Sequence, residues 1–261
     1  SLLYPVKILV AVLFNVVLLF GFLKEAYARD TIIWAKDILP PSVILEGPDK
    51  DRGILDGMYR EYEKALPEFD HEQVVANMAR ILFMMKEGQN KCYGGFIKTP
   101  EREKFIQFTI PNALIMANAI VTTKEKQLSL FHGRDTVSFD ETLNTNNLKL
   151  GITKDRAYGS PIDEIVNSHK KDNVFYRSGK TSLQGLLKML AKNRIDFSIG
   201  FPYEISYIAR QMDEKDTFSV IAIEEFKSRQ WIKIYAGCPR TPWGKRTVKR
   251  LNQALIEIRP M

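Results

Sequence analysis

The sequence is poor in the side chains that most often bind metals or act as nucleophiles. Its 261 residues include two cysteines, Cys92 and Cys238, and three histidines, His71, His132 and His169. These five residues are too scattered to match a metal-ligand spacing. The sequence also lacks a G-x-S-x-G nucleophile turn and an H-E-x-x-H zinc helix. We therefore expect no catalytic residue, no bound metal and no cofactor.

Signatures of phosphate loops and nucleic-acid grooves are missing as well. Ser178-Gly179-Lys180-Thr181 matches the end of a P-loop, but the first glycine of that motif would stand at position 174, which is Val174. The formal net charge is +7, yet the basic residues are dispersed among acids, and no residue set resembles an aromatic-lined groove. This pattern favours a solvated surface, so we expect no nucleic-acid partner.

The longest apolar run lies near the start of the sequence. Residues 4–7 form a short cationic start, residues 8–23 are almost entirely apolar, and Ala26-Tyr27-Ala28 has the small-x-small pattern that signal peptidases cleave. The run is slightly long for a signal peptide and short for a membrane span. We predict a signal peptide over residues 1–28 and a periplasmic or extracellular protein. An uncleaved membrane anchor is the alternative.

Short β-branched runs alternate with amphipathic stretches along the rest of the chain. The predicted strands cover residues 31–35, 71–75, 91–97, 148–152, 174–176 and 196–199. The predicted helices cover residues 53–66, 77–87, 160–168 and 182–192. This alternation indicates an α/β fold with mainly parallel sheets flanked by helices.

Helical spacing in two of these segments places apolar side chains on one face. The first predicted helix places four apolar residues on one face: Ile54, Met58, Tyr62 and Ala65. The last one carries a stripe of four leucines: Leu183, Leu186, Leu187 and Leu190. A stripe with this spacing is typical of core packing.

Two segments of the chain share one layout. Residues 80–95 and 185–200 both read as helix, short turn and strand ending in glycine, and they align without a gap. This likeness indicates two lobes of similar architecture. In such proteins the ligand binds in the crevice beyond the ends of the strands.

The most specific signal lies in residues 94–111. A strand with two glycines, Gly94 and Gly95, leads into Thr99-Pro100-Glu101-Arg102, which opens one helical turn. Free amides at a helix start, a threonine hydroxyl and a guanidinium form a good site for a carboxylate or a phosphate. Glycine lets a ligand approach the backbone closely. A capped turn with a surface arginine is the alternative interpretation.

This segment resembles the extracellular solute-binding proteins of family 3, the type II periplasmic binding proteins that serve polar amino-acid ABC transporters. The shared pattern is a strand, small residues, Thr-x-x-Arg, an aromatic residue, Ser or Thr, and Pro. Weaker matches run from Pro40-Pro41 to Trp243-Gly244-Lys245 and Asn252, and a cysteine before the glycine pair is typical of a poorly characterised branch. The resemblance implies a two-lobed α/β fold with a ligand cleft. Lobe 1 would comprise residues 29–118 and 232–261, and lobe 2 residues 119–231.

The resemblance also implies a ligand site. By position, Arg102 would bind a ligand carboxylate beside Thr99 and the Gly95 backbone, and lobe 2 would contribute the turn that contains Arg156 and Tyr158. The candidate ligand-binding residues are Arg102, Thr99, Gly95, Asn77, Asp37, Trp34, Arg156, Tyr158 and Glu204. For Trp34 a position in the core is the alternative.

Two positions depart from the family pattern. Members that bind amino acids usually present an acid from lobe 2 to the α-ammonium, but here Phe201 stands near that position and Glu204 follows a few residues later. Arg102 and Arg156 together would suit an anionic ligand, so an amino acid and an organic acid both stay open. Ser42 stands where the family often has an aromatic residue.

In an exported protein two cysteines can form a disulfide, although sequence alone does not bring their sulfurs together. In the fold of the family the strand near residues 232–236 lies beside the strand of Cys92, so the resemblance implies a Cys92–Cys238 bond. The implied function is capture of a small polar or anionic solute by a monomeric, non-enzymatic protein for an ABC permease. The alternatives are a dehydratase-like enzyme with Glu204 as its acid, and a sensory or adaptor protein.

Overall fold

The strands and helices follow the predicted alternation. The computed structural model describes residues 29–145, 148–168, 173–179, 181–228 and 230–258, and the predicted signal peptide, residues 1–28, lies outside them. Each strand and helix named above is present, with bounds that agree within two residues. No helix in the described ranges is long and apolar enough to cross a membrane.

The elements are numbered here in chain order. The strands are β1 (Thr31–Lys36), β2 (Asp70–Val75), β3 (Lys91–Phe96), β4 (Ile106–Met116), β5 (Ala119–Thr123), β6 (Thr136–Val137), β7 (Leu150–Thr153), β8 (Val174–Arg177), β9 (Phe197–Gly200), β10 (Phe218–Ile223) and β11 (Trp231–Pro239). The helices are α1 (Ile54–Ala65), α2 (Met78–Lys86), α3 (Pro100–Glu103), α4 (Lys124–Phe131), α5 (Phe139–Asn144), α6 (Ile162–Ser168), α7 (Ser182–Ala191), α8 (Pro202–Gln211) and α9 (Pro242–Ile258).

The strands form two sheets, and each sheet with its helices forms one lobe. The first lobe has the strand order β2-β1-β3-β11-β4 and the helices α1, α2, α3 and α9; the second has the order β6-β10-β5-β9-β7-β8 and the helices α4 to α8. The chain crosses to the second lobe between β4 and β5 and returns between β10 and β11. Both lobes belong to one compact unit that begins at Thr31.

The predicted α/β fold is confirmed, and both sheets are mixed: five of the nine strand pairings in the described ranges are parallel and four are antiparallel. In the first lobe β1 pairs in parallel with β2 and β3, whereas β11 is antiparallel to β3 and β4. In the second lobe β5 is antiparallel to β9 and β10. The cause is the double crossing, because a strand that leaves a lobe and a strand that returns to it run in opposite directions. The helix–strand alternation in the sequence does not indicate the direction of β4, β5, β10 or β11.

The core of the first lobe is aromatic and carries a covalent bond. Trp34 of β1 stacks on Tyr62 of α1 with ring centroids 5.3 Å apart, and the pair packs around a disulfide between Cys92 of β3 and Cys238 of β11. The predicted disulfide is therefore confirmed. The two half-cystines lie on adjacent strands, where Gly237 pairs with Tyr93.

The apolar face of α1 is only partly buried in the core. Tyr62 is buried, and it is joined by Leu55 and Tyr59. Ile54 is 58% exposed and faces the cleft between the lobes. Helical spacing does not distinguish a core face from the apolar wall of a cleft, and the apolar face of α1 contributes to both. In the second lobe the α7 leucines are buried as predicted.

A buried ion pair fixes the loop between β1 and α1, which forms one wall of the cleft. Lys36 Nζ lies 2.6 Å from Asp56 Oδ1, and both side chains are almost fully buried. Asp56 Oδ2 accepts hydrogen bonds from the backbone amides of Ile44 and Gly53, at 3.1 and 3.0 Å. One carboxylate thus ties the end of β1, the loop and the start of α1 together.

Candidate functional site

A cavity of about 440 Å³ lies between the two lobes. Its walls are formed by segments that follow the carboxyl ends of β1, β3, β7, β8 and β9, together with the starts of α1, α2, α7 and α8. This is where open α/β sheets bind their ligands, because several loops and helix N-termini converge there. Its volume lies within the range of small-molecule sites.

The inner wall of the cavity is apolar and joins the lobes. Ile97 and Ile234 of the first lobe pack with Phe201 of the second, and Phe201 stacks on Tyr203 with ring centroids 5.5 Å apart. The Tyr203 hydroxyl lies 3.5 Å from the Ser42 hydroxyl across the cleft. Apolar side chains from both lobes are therefore in direct contact at this point.

Arg102 brings a buried positive charge to the cavity. Thr99 caps α3 by accepting a hydrogen bond from the Arg102 amide at 3.3 Å, and Pro100 occupies the first helical position. This turn directs the guanidinium inward, where the residue is only 7% exposed. Its Nη1 donates to the Ile97 carbonyl at 2.9 Å, and its Nη2 donates to the Asp155 carbonyl of the second lobe at 3.1 Å.

The charge of Arg102 has no carboxylate partner among the described residues. Burial lowers its pKa, and Tyr93, Asp163 and Asp155 raise it again, but an arginine keeps its proton in proteins. A guanidinium carries five N–H donors, and the two main-chain bonds use two of them. The remaining donors suit a bidentate carboxylate or phosphate.

Arg156 and Glu204 form a closed ion pair in the second lobe. Nη1 and Nη2 of Arg156 donate to Oε1 and Oε2 of Glu204 at 3.0 and 2.6 Å. The guanidinium carbon of Arg156 lies 4.9 Å from the centre of the Phe201 ring. Burial opposes the charge of Arg156, but the adjacent Glu204 carboxylate outweighs it and raises the pKa of Arg156. The two side chains therefore present little net charge to the cavity.

Asp37 provides the acid of the first lobe. It follows β1, and its Oδ1 accepts a hydrogen bond from the Ile38 amide at 2.8 Å. Burial raises the pKa of Asp37 to about 6, while the Ile38 bond and Arg156 act in the opposite direction and Glu204 adds to the rise. Asp37 is consequently a weak, poorly solvated acid that gains from any cation placed beside it.

Six of the predicted residues line the cavity: Asp37, Asn77, Gly95, Arg102, Arg156 and Glu204. Asn77 is also the N-cap of α2, because its side chain accepts a hydrogen bond from the Arg80 amide at 2.9 Å. The structure thus brings together residues from both lobes that are far apart in the sequence. Their roles toward a ligand stay predictions.

Three predicted residues do not line the cavity. Trp34 is fully buried in the first-lobe core, where its Nε1 donates to His71 Nδ1 at 3.2 Å. Tyr158 is buried in the second-lobe core, and its hydroxyl accepts a hydrogen bond from the Thr153 amide. Thr99 acts as the cap of α3. In this structure these three residues lie outside the cavity lining, and a role for them in contacting a ligand stays a prediction.

Sequence reasoning missed several residues of the cavity wall. Tyr93, Ile54, Met58, Tyr203 and Ile234 all line it. A signal for Tyr93 was present, because it precedes Gly95 by two residues on one strand and so shares its face. No pattern marks Ile234, which reaches the cleft on the returning strand.

Comparison of the structure with solved structures decides the fold. A histidine kinase sensor domain with similarity to periplasmic binding proteins gives a TM-score of 0.69 at 14% identity, over 88% of this chain and 90% of that one. An amino-acid ABC transporter substrate-binding protein from Streptococcus pneumoniae, bound to L-arginine, gives 0.65 at 15% identity, over 88% and 89%. The chain has the type II periplasmic-binding-protein fold.

A third protein with this fold widens its functional range. An ancestral amino acid-binding protein described as a precursor of cyclohexadienyl dehydratase gives a TM-score of 0.64 at 15% identity, over 88% of this chain and 90% of that one. Transporter components, a sensor domain and a relative of an enzyme therefore all share the periplasmic-binding-protein fold. At such identities the likeness concerns the fold alone, and it confirms the resemblance found in the sequence at that level.

Searches by sequence add no closer relationship. No family model matches the chain, and no curated protein matches it. Within the residues that the structure describes, no group of three or more His, Cys, Asp or Glu side chains is placed to hold a metal ion. The fold and the disulfide together indicate a location outside the cytoplasm.

Proposed function

We propose that the protein is an exported, non-enzymatic receptor that binds a small amino-acid-like solute in the cleft between its lobes. The observation that carries this proposal is the buried Arg102 side chain at the cavity. Within the described residues, its guanidinium donates hydrogen bonds only to two main-chain carbonyls. Such a group is stabilised when a carboxylate fills its free donors. The solute therefore carries a carboxylate.

The charges of the cavity favour a zwitterionic solute over an anionic one. The sequence suggested that Arg102 and Arg156 together would suit an anionic ligand, but Arg156 is compensated by Glu204. Among the described side chains that line the cavity and are not exposed, Arg102 and Asp37 are then the charged ones without an ion pair. One positive and one negative group complement a zwitterion. The solved protein bound to L-arginine supports this choice.

Closure of the cleft follows from the same contacts. Arg102 of the first lobe donates to the Asp155 carbonyl of the second, and Ser42 meets Tyr203. A solute held between these walls contacts both lobes, so it binds the closed form more tightly than an open one and shifts the balance toward it. The closed form is the state that a membrane partner would recognise.

Calorimetry with the proteinogenic amino acids tests this proposal. Each amino acid is compared with the carboxylate that lacks its amino group. We expect at least one amino acid to bind, and Arg102→Gln to weaken it about a hundredfold because the ligand carboxylate loses its buried partner. Arg102→Lys, which keeps the charge and loses the planar fork, should recover part of the affinity. Exposed Arg246→Gln on α9 is the matched control and should change nothing.

A panel without any bound amino acid would overturn the proposal. So would an Arg102→Gln protein that keeps its melting temperature and binds normally. Thermal unfolding of each variant separates lost binding from lost folding, because Arg102 also bridges the lobes through main-chain carbonyls.

An enzyme on this fold requires an acid that is free to transfer a proton to or from the substrate. Glu204 was the candidate, but both of its oxygens accept hydrogen bonds from Arg156. The arrangement supports binding without turnover. Chromatography of the bound solute before and after long incubation tests this point: we expect the solute to be recovered unchanged, and conversion that Glu204→Gln abolishes would favour the dehydratase-like alternative.

Delivery to an ABC permease is the role we propose for the receptor, with a sensory role as the alternative. The signal peptide at 1–28, a monomeric state and the division into 29–118 with 232–261 and 119–231 are further parts of this proposal. N-terminal sequencing of the exported protein tests the cleavage after Ala28. Stimulation of a permease ATPase by the ligand-bound protein distinguishes transport from sensing.

A further inference from the structure

Tyr93 carries a buried polar atom for which the fold supplies no partner. The residue lies on β3, is fully buried and lines the cavity. Its hydroxyl oxygen makes no hydrogen bond to any described residue. Buried polar groups are nearly always hydrogen-bonded, so each exception calls for an explanation.

A neighbouring tyrosine shows that the same lobe satisfies such groups where they serve the fold. The Tyr59 hydroxyl donates to the Ala35 carbonyl at 2.9 Å and accepts from the Gly94 amide at 3.1 Å. Tyr93 packs its ring edge-on against Phe96, with centroids 4.7 Å apart. That packing needs only the ring, and a phenylalanine would provide it without leaving an unmatched oxygen.

The groups around the Tyr93 hydroxyl are those that define the cavity. Burial raises the pKa of Tyr93, Asp37 raises it further, and Arg102 and Arg156 lower it. The hydroxyl thus keeps its proton at neutral pH and can both donate and accept a hydrogen bond. The hydroxyl is therefore close enough to Asp37 and Arg102 to feel their charges. These are the residues that we propose bind the amino group and the carboxylate of the solute.

Gly95 lies against the Tyr93 hydroxyl. A Cβ on Gly95 would lie 2.9 Å from the Tyr93 hydroxyl oxygen and 2.7 Å from Leu55 Cδ1. Any larger residue would therefore press on the hydroxyl. Because Gly95 also lines the cavity, the Tyr93 hydroxyl lies close behind the cavity wall, and a larger residue at position 95 would crowd it.

We propose that the Tyr93 hydroxyl contacts the solute and determines its class, by accepting a hydrogen bond from an amino group that also contacts Asp37 while Arg102 holds the carboxylate. This inference rests on the proposed function. It assigns recognition of the amino group to the first lobe, because Glu204 in the second lobe is occupied by Arg156. The class selected is an amino acid with its carboxylate and amino group close together.

The test uses the full chain and the tightest amino acid found by calorimetry, together with the carboxylate that lacks its amino group. Tyr93→Phe removes one oxygen and keeps the ring. We expect an unchanged or raised melting temperature, an affinity for the amino acid about tenfold lower, and little change for the simple carboxylate. Tyr59→Phe is the matched control: it loses two core hydrogen bonds, so the melting temperature falls while the preference for the amino group stays.

The possible results distinguish failure of this inference from failure of the proposed function. If Arg102→Gln abolishes binding while Tyr93→Phe binds both compounds within twofold of the unmodified protein, the inference fails and the proposed function stands. If Tyr93→Phe weakens both compounds equally, the hydroxyl does not read the amino group and the inference also fails. If no amino acid binds the unmodified chain, both are overturned. Should Tyr93→Phe unfold, Gly95→Ala, which crowds the hydroxyl, must lower the same preference.

Discussion

The two walls of the cleft handle charge in opposite ways. The wall of the first lobe presents Arg102 and Asp37, neither of which forms an ion pair in the described part of the chain, and the Tyr93 hydroxyl. The wall of the second lobe presents Arg156 and Glu204, which neutralise each other through two hydrogen bonds. Under the proposed function, the first lobe recognises the solute and the second lobe closes over it.

The largest effect should come from breaking the pair in the second lobe. Glu204→Gln leaves the Arg156 guanidinium buried without a counter-charge, and the removal of one partner from a buried pair costs roughly 3–5 kcal/mol of unfolding free energy. Urea unfolding measures it. The double variant Arg156→Leu/Glu204→Leu removes both charges and should lie near the unmodified protein. Equal losses in the single and double variants would show that the pair is not a self-contained unit.

Loss of the disulfide should weaken the first lobe. Cys92→Ala/Cys238→Ala removes a bond inside that lobe, which we expect to lower the unfolding free energy by about 2–5 kcal/mol. Binding measured well below the melting temperature should persist, since neither cysteine lines the cavity. Reduction of the unmodified protein with dithiothreitol is the matching treatment. An unchanged melting temperature after complete reduction would contradict the prediction.

The pH dependence of binding should reveal which charge the solute brings to the first lobe. Asp37 has a pKa of about 6 and lies in the fields of Arg156, Glu204 and Tyr93. An amino group beside it favours the ionised form, so below that pKa a proton must leave before binding. The affinity for an amino acid should therefore fall as the pH falls from 8 to 5.5, approaching about tenfold per pH unit below the pKa.

Two comparisons sharpen this pH test. A carboxylate without an amino group should bind equally well or better as the pH falls through 6, because protonation of Asp37 removes a repulsive charge. Asp37→Asn should flatten both profiles. Parallel profiles for the two compounds in the unmodified protein would place the amino group away from Asp37.

The smallest effect should come from the contact between two hydroxyls across the cleft. The hydroxyls of Ser42 and Tyr203 are 3.5 Å apart, which is at the limit of a hydrogen bond. Tyr203→Phe should therefore change the affinity by less than about threefold in calorimetry. A much larger loss would mean that the second lobe contributes to recognition as well as to closure.

Local patterns in the sequence predict those structural features that are determined by residues close together in the sequence. The α7 leucines are buried as their spacing predicts, and the Thr-Pro turn places Arg102 at the cavity because a capped helix start has a defined geometry. Trp34 was ambiguous because a strand directs successive side chains to opposite faces, and its face is decided by the packing of α1.

The features that set the ligand class depend on distant parts of the chain. Arg156 and Glu204 are 48 residues apart and on different elements, so neither position shows from its surroundings in sequence that its charge is compensated. The unmatched hydroxyl of Tyr93 results from the absence of partners across the described fold. Sequence patterns suggested two available arginines, whereas the three-dimensional arrangement leaves one.

The disulfide also has a mechanical consequence. Cys92 and Cys238 are separated by 146 positions, and the covalent ring that they close contains every strand of the second lobe. Tension applied between Thr31 and Ile258 passes through the sulfur bridge and bypasses the ring. The second lobe is thus shielded from stretching, and a single cut by a protease within it leaves one covalently joined molecule. The second lobe therefore stays on the molecule after either stretching or a single cut.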